Sequence, residues 1–292
     1  MDHQYDLTIV IVNYKVCDLV RRLLLSVETY VHGISYEVFL VDNASNDGVI
    51  EMAKQEFPEV QVIANTENLG FAKANNQAIK RAKGRHLLLL NPDTELIENM
   101  PAALVRFADE HSNAGVVGCK ILNPDRTVQK SVLRFPMPLS QALIMLKLHH
   151  ALPTVGVVQR YFNDAFDGAK TQVVEQVMGS AFLMTRKALD RFSGLDERYF
   201  IWFEEVDYCK TVHDAGMEVW YIANTSLVHH GGQSFAQVFA PKKQRFFNTS
   251  LAQYMEKHFG RGAWLLIKIL DPLSMALAWG VGLLGLRRKK YA

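Results

Sequence analysis

The chain opens on a continuous apolar run, Leu7 to Val12, as carried by a strand buried on both faces of a parallel sheet. Leucines and valines at helical spacing follow from Asp18 to Val31. Val38 to Val41 is apolar again and stops at Asp42-Asn43, and Asn46-Asp47-Gly48 is a turn able to cap a helix into Phe57. Val60 to Ala64 reads as a third strand. Phe71 to Lys83 reads as a helix with Gly84 as its C-terminal stop. His86 to Leu90 is a fourth buried strand, ending at Asn91-Pro92-Asp93. Strands alternating with helices predict βαβ units, hence an α/β fold with a mostly parallel central sheet flanked by helices. Ligands of such sheets sit outside the carboxyl ends of the strands. Three polar clusters fall there: Asn13-Tyr14, Asp42-Asn43 and Asn91-Pro92-Asp93.

From Asn123 to Lys170 the periodicity fades, and prolines at 124, 136, 138 and 153 interrupt it. This stretch reads as loops with one short helix and is the expected place for substrate-facing structure. Order returns over Val173 to Thr185. A helix is expected from Glu205 to Ala215, ended by Gly216, then a strand at Val219 to Ile222 and a helix over Pro241 to His258. The tail differs. Trp264 to Leu286 is almost wholly apolar, interrupted by Lys268, Asp271-Pro272 and Ser274, and ends in Arg287-Arg288-Lys289-Lys290. A spanning helix needs about 20 predominantly apolar residues, but proline breaks helices. Two short amphipathic pieces at a lipid interface fit, with residues 264–290 on the membrane surface and the basic cluster on anionic head groups. A core helix followed by a solvated basic end is the other reading. The expected divisions are 1–120, 121–240 and a helical, membrane-associating 241–292.

Composition narrows the classes. With 49% hydrophobic and 21% charged residues over 292 positions, the chain folds rather than staying disordered. Lys+Arg at 32 against Asp+Glu at 30 lacks the basic excess of a nucleic-acid binder, so no nucleic-acid partner is expected. Cys17, Cys119 and Cys209 lie far apart with no CxxC, which favours a reducing compartment. The acidic start, Met1-Asp2-His3, has no basic region before an apolar run, so no secretory signal is expected. Asn13 to Asp18 contains no glycine, which disfavours dinucleotide-binding and P-loop enzymes, and a sugar nucleotidyltransferase as well.

Five segments carry candidate chemistry. Asp93, just past a buried strand, is placed to hold a divalent ion on a diphosphate, or merely to cap a helix. Asp42 can accept a hydrogen bond from a base or ribose, or cap its own turn together with Asn43. In Asn65 to Asn76 the small residues Gly70, Ala72 and Ala74 open a helix, with Lys73, Asn75 and Asn76 interleaved. That pattern suits an anion at the helix start and equally suits close packing on the sheet. Glu204-Glu205-Val206-Asp207 follows the aromatic run Tyr199 to Phe203. Crowded carboxylates beside apolar groups have raised pKa values, as a general base needs, though acids also suit a helix N-terminus. His229-His230-Gly231-Gly232 offers imidazole, a common metal ligand that is often only structural.

Taken in order, these segments resemble family 2 glycosyltransferases of the GT-A fold. The resemblance rests on Thr8 to Tyr14, Val41 to Gly48, Asn68 to Ala72, Leu90 to Thr94, Met178 to Phe182, Gly194 to Glu197, Phe203 to Asp207 and His229 to Gly232, and covers about residues 6 to 235. The branch it looks most like is the rhamnosyltransferase-like one that builds bacterial cell-surface polysaccharides. The resemblance implies an inverting, metal-dependent transfer from a nucleotide-sugar, dTDP-rhamnose first, to a hydroxyl of a glycan or polyprenyl-diphosphate-linked acceptor. Asp42 would meet the nucleotide base with Asn13 nearby, and Asn43, Gly70, Lys73, Asn76 and Asn91 would complete the donor site. Asp93 would be the surviving carboxylate of a DxD motif whose first position is Asn91 here, with His229 completing a site for Mg2+ or Mn2+. Glu205, 24 residues before His229, would be the catalytic base, with Glu204 and Asp207 in support. The enzyme would sit in the cytoplasm, peripheral on the inner face of the cytoplasmic membrane. A non-catalytic scaffold that kept the fold is the competing expectation, and only Asn91 favours it.

Overall fold

The computed structural model describes residues 3–232 and 240–283. At its centre is a single sheet. β1 (Tyr5–Asn13) pairs in parallel with β2 (Tyr36–Asp42) and with β4 (Gly84–Leu90), and β2 carries β3 (Gln61–Ala64) outside it. α1 (Cys17–Tyr30), α2 (Val49–Glu56) and α3 (Phe71–Ile79) make the crossovers, as the alternating pattern predicts. Beyond β4 the directions mix. β8 (Ala181–Met184) runs antiparallel to β4, and β6 (Ala114–Leu122) antiparallel to β8. β9 (Glu218–His229) is parallel to β6, while the short β5 (Thr94–Leu96) and β7 (Gln172–Val174) run antiparallel to β9. The order is β3-β2-β1-β4-β8-β6-β9-β5, with β7 also on β9.

The two faces of this sheet explain its continuous apolar runs. Leu7, Ile9 and Ile11 of β1 face α1, α2 and α4 (Met100–Glu110) in one core. Val10 and Val12 face α3, α7 (Arg186–Phe192) and α8 (Glu204–Asp214) in the other. With both faces covered, alternation is lost.

Two local expectations change. α3 ends at Ile79, and Gly84 is not its stop but the first residue of β4. A Cβ there would collide with the Thr8 backbone nitrogen, so glycine lets β4 come up against β1. The stretch 123–170 holds two short α-helices rather than one, α5 (Pro138–Met145) and α6 (Gly156–Phe162).

The tail expectation is also corrected. After α9 (Ala240–Phe259), α10 runs unbroken from Arg261 to Leu283 with Pro272 inside it. An interior proline costs about 3 kcal/mol, and tertiary contacts offset it. Asn248 of α9 donates to Asp271 at 2.6 Å, Gln244 donates to Asn248 at 2.8 Å, and Ile267 and Ser274 are buried. The opposite side of α10 leaves Leu265, Ile269, Leu273 and Leu277 exposed at four-residue spacing. Its first 20 residues are long and apolar enough to cross a membrane by length and composition, with 17% of the window buried. Arg287 to Lys290 lie outside the described residues.

A third core joins α9 and α10 to the rest through Met145, Tyr199, Phe203, Leu251, Tyr254 and Ile267. At its rim the buried Asp207 carboxylate on α8 receives Lys257 Nζ at 2.6 Å, His258 Nε2 at 2.7 Å and the Tyr199 hydroxyl at 3.1 Å. This cluster pins the end of α9 to α8. Removing one partner of a buried ion cluster leaves the others uncompensated. Asp207→Ala should therefore lower the unfolding free energy by about 3 kcal/mol, measured by urea denaturation. A loss within about 0.5 kcal/mol, the range of ordinary surface changes, would show that solvent already screens the cluster.

Candidate active site

At the carboxyl ends of β1 and β2, Asn13 is fully buried and its amide nitrogen donates to Asp42 Oδ1 at 3.0 Å, to Ser45 Oγ at 2.9 Å and towards Asp47. Ser45 N donates to Asp42 Oδ2 at 3.3 Å. The carboxylate of Asp42 is thereby oriented at the sheet edge and keeps lone pairs for a further donor. Asp47, a turn residue in the sequence pattern, accepts from Cys17 N at 2.9 Å and so caps α1.

Asn43 is a clip. Its amide nitrogen donates to Asn68 Oδ1 and to the Gly70 carbonyl, each at 3.1 Å, and its oxygen accepts from Asn65 and from Leu69 N. Both ends of the amide are thus committed to holding the loop ahead of α3. Gly70 has φ +83°, and a Cβ there would strike the Phe200 carbonyl oxygen, which accepts from Phe71 N at 2.7 Å. Only glycine permits that close approach. Asn76 binds away from the β1 and β2 ends. It donates to the Leu195 carbonyl at 2.7 Å and to Glu197 at 3.0 Å, accepts from Leu195 N at 2.9 Å, and walls a separate cavity of about 590 Å³. Lys73 is exposed on α3.

Past β4, Asn91 N donates to the Ser180 carbonyl at 3.1 Å, and Thr94 N donates to the Asn91 carbonyl. This tight turn buries Asp93 and leads into β5, which pairs Thr94 with His229 on β9. His229 Nε2 lies 3.3 Å from Asp93 Oδ1. Two ligand bonds of about 2.1 Å meeting near a right angle separate their donor atoms by about 3 Å. The pair therefore fits one divalent cation. Its Nδ1 contacts Gln129 Oε1 at 2.7 Å, a residue in the stretch with no readable pattern. His230 instead turns towards Glu95. Among the described residues no group of three or more His, Cys, Asp or Glu is poised for a metal, so substrate oxygens would have to complete such a site.

The third part is the turn into α8. Trp202 and Phe203 both have positive φ, +63° and +72°, conformations that cost bulky residues about 1–3 kcal/mol each. Packing over-determines them. Phe203 is buried against Phe247 and Tyr254, and Ser250 Oγ donates to the Ile201 carbonyl at 2.8 Å. The strained turn starts α8 abruptly, and helical geometry then sorts its acids. Asp207 faces the ion cluster, while Glu205 lies on another side of the helix and lines a cavity of about 230 Å³ with Ser131, Tyr161, Gln176, Trp202 and Phe247. Gly179 passes against the Glu205 side chain, where a Cβ would sit 3.4 Å from its Cγ. Since Ser180 also receives Asn91 N, the turn bearing Asp93 and the wall bearing Glu205 meet at residues 179–180. Glu204 is buried beside Glu205, and each keeps one carboxylate oxygen without a hydrogen-bond partner. Burial raises both carboxyl pKa values, and the neighbouring Glu205 pushes Glu204 further, well above the ordinary range.

The chain and its fold have known relatives. Residues 8–192 match the family described as Glycosyl transferase family 2. The chain is 28% identical over 212 residues to an N-acetylglucosaminyl-diphospho-decaprenol L-rhamnosyltransferase of Mycobacterium tuberculosis, covering 68% of this chain and 67% of that one. It is 22% identical to the rhamnosyltransferase WbbL of Escherichia coli K12, covering 85% and 92%. Among solved structures it resembles the mannosyltransferase PcManGT of Pyrobaculum calidifontis in complex with GDP-Man and Mn2+, with TM-score 0.58, 14% identity, and 96% and 74% of the chains covered. It also resembles residues 1–349 of S. aureus TarS in complex with UDP-GlcNAc, with TM-score 0.56, 15% identity, and 85% and 65% covered. The fold is GT-A.

The buried acids make a stability prediction. A carboxyl whose pKa is raised by folding favours the native state in its protonated form, and that contribution is lost as pH rises from the ordinary value through the raised one. Glu204→Gln removes the penalty. Thermal melts should show the variant more stable than wild type at pH 8, with the difference shrinking as pH falls towards the ordinary glutamate value near 4.5. An equal difference at both ends of that range would mean Glu204 is not the titrating group.

Proposed function

The chain belongs to glycosyl transferase family 2, and we propose that it moves a sugar from a nucleotide-sugar, dTDP-rhamnose first, to a hydroxyl of a lipid-linked glycan precursor, with inversion at the anomeric carbon. The observation that carries this reading is Glu205: a carboxylate of raised pKa lining a cavity, with one oxygen buried and unpartnered, next to the turn that bears Asp93, which His229 of β9 faces. In the proposed reaction Asp42, oriented by Asn13, accepts from the nucleotide base. Among the described residues Asn91 makes no side-chain hydrogen bond, and in the proposed reaction its amide binds the donor. Asp93 and His229 would hold Mg2+ or Mn2+, which when bound offsets the charge building on the leaving nucleoside diphosphate. Glu205 takes the proton from the acceptor hydroxyl as that oxygen attacks the face opposite the leaving group, where the anomeric carbon has oxocarbenium character. No covalent intermediate is needed, and one base suffices. The apolar lining, Leu133, Met178, Trp202, Phe203 and Phe247, limits water and raises the proton affinity of the Glu205 carboxylate, which accepts the proton in its ionised form.

The acceptor chemistry gives α10 a role. The row Leu265, Ile269, Leu273 and Leu277 is exposed, and four basic residues follow in sequence at 287–290. A helix of this kind lies in the interface of an anionic membrane, and the proposed place of the enzyme is the cytoplasmic face. The support is the solvent-facing apolar row and the nearby positive charge.

Two experiments test these readings. In Glu205→Gln, kcat with a matched donor and acceptor should fall by about 10²–10⁴-fold, donor affinity should be retained, and a chelator should abolish wild-type turnover. Wild-type kcat should rise with pH through a midpoint above the ordinary glutamate value. Full activity in the variant would remove Glu205 as base. For the membrane, the double change Ile269→Glu and Leu273→Glu should end co-sedimentation with anionic vesicles and spare turnover of a short-chain soluble acceptor. Undiminished sedimentation would exclude that face of α10.

A further inference from the structure

A chain of directional hydrogen bonds runs through the turn at 121–129 to the Asp93–His229 pair, and it starts at a carboxylate. Asp125 is exposed, and the Thr127 hydroxyl and amide hold its carboxyl below the usual range, so it is ionised and can only accept. Thr127 Oγ1 gives its single proton to Asp125 Oδ1 at 2.6 Å. It is therefore an acceptor for Asn123 Nδ2 at 3.0 Å. With its nitrogen engaged there, Asn123 presents Oδ1 to Gln129 Nε2 at 2.9 Å. Gln129 in turn presents Oε1 to His229 Nδ1 at 2.7 Å. A carbonyl oxygen has no proton to give, so Nδ1 carries the hydrogen and Nε2 of the neutral ring is a bare lone pair. That lone pair is the atom 3.3 Å from Asp93 Oδ1. A divalent cation fits between a lone pair and a carboxylate oxygen at that distance.

We propose that Gln129, oriented by Asn123, Thr127 and Asp125, is a positioning residue that locks His229 in the Nδ1–H tautomer and so prepares Nε2 as a ligand for a divalent cation. The proposal rests on the reading of Asp93 and His229 as a metal pair. Its logic is the alternative it suppresses. Were Nδ1 left without an acceptor, the proton could move to Nε2 and be held by Asp93 itself, closing the pair on itself. The polarity of the relay excludes that arrangement, because reversing any one bond would set two donors or two acceptors face to face. Partners of this kind, behind a ligating imidazole, typically change metal affinity by about 10–100-fold.

The test reads the tautomer directly, without metal. Ring nitrogens of His229 would be assigned by proton–nitrogen correlation on the metal-free, nitrogen-15-labelled protein at about pH 8.5, where imidazole is neutral. Wild type should show Nδ1 protonated and Nε2 bare. Gln129→Leu should move the proton to Nε2, and Gln129→Glu, which keeps an acceptor there, should leave it on Nδ1. In parallel, electron paramagnetic titration with Mn2+ and a nucleoside diphosphate should show binding weakened about 10–100-fold in Gln129→Leu and close to wild type in Gln129→Glu. Thr127→Val lies on the exposed turn and should weaken Mn2+ binding a few-fold, which keeps the question open to test should Gln129→Leu not fold. A tautomer unchanged in Gln129→Leu, or in its absence unchanged Mn2+ binding in Thr127→Val, overturns the lock. The expected tautomer switch with no Mn2+ bound by wild type supports the lock and overturns the metal reading beneath it.

Discussion

Four residues of β4 paired antiparallel with four of β8 hold the site together. Leu87 to Leu90 face Met184 to Ala181 in register, and one step beyond the ladder Asn91 N reaches the Ser180 carbonyl. Buried main-chain groups must find partners, so this register is enforced by the whole ladder rather than by any side chain. The two carboxylates proposed for the metal and the base, Asp93 and Glu205, hang from its end. One strand continues into the turn that buries Asp93. The other arrives through Gly179, which lies against Glu205. A one-residue slip of either strand would turn that strand's side chains to the other face and break the alignment of the two carboxylates. Placing reactive groups on ladder ends, not on free loops, is how a protein holds them to the tolerance that transfer chemistry requires.

The first turn of α8 shows how one short acidic segment serves two opposed purposes. Asp207 is compensated by Lys257, His258 and Tyr199, and its burial stabilises the docking of α9. Glu204 and Glu205 each keep one buried oxygen without a partner, and their charge is disfavoured where they lie. Two strained residues stand immediately before them. Local destabilisation is thus concentrated at the turn proposed to carry the base, while the compensating packing comes from α9 and α10. That is the physical reason the C-terminal helices belong to the working unit: Phe247 of α9 forms part of the cavity wall beside Glu205.

Much of this was legible in the sequence, and the parts that were not share a cause. β1, β2 and β4 announce themselves because strands covered on both faces lose their polar positions. Their ends, Asn13, Asp42 and Asp93, follow from the rule that ligands gather at carboxyl edges. β5 and β7 are three residues each, too short to carry a period. Gly84 reads as a helix stop because its real constraint, the backbone of Thr8, is 76 residues away in sequence. The roles of Asn43 and Asn76 as clips, and of Gln129 behind His229, are likewise set by partners far along the chain. Pro272 reads as dividing the tail because propensity speaks for an isolated helix and not for one held along α9 by Asn248 and Asp271.

Gly70 and Phe200 join two segments that evolution and protein engineers alike would be inclined to treat separately. The loop before α3 lies on the side expected to receive the donor, and the turn before α8 belongs to the side expected to receive the acceptor. The bond from Phe71 N to the Phe200 carbonyl, and the absence of a Cβ at Gly70 that allows it, make them one interlocked surface. The unit of recombination in this scaffold is therefore not a half-domain. A chimera that takes its donor loop from one relative and its aromatic turn from another inherits two backbones never fitted to each other. Transplanting residues 65–71 and 199–203 as a pair preserves the fit.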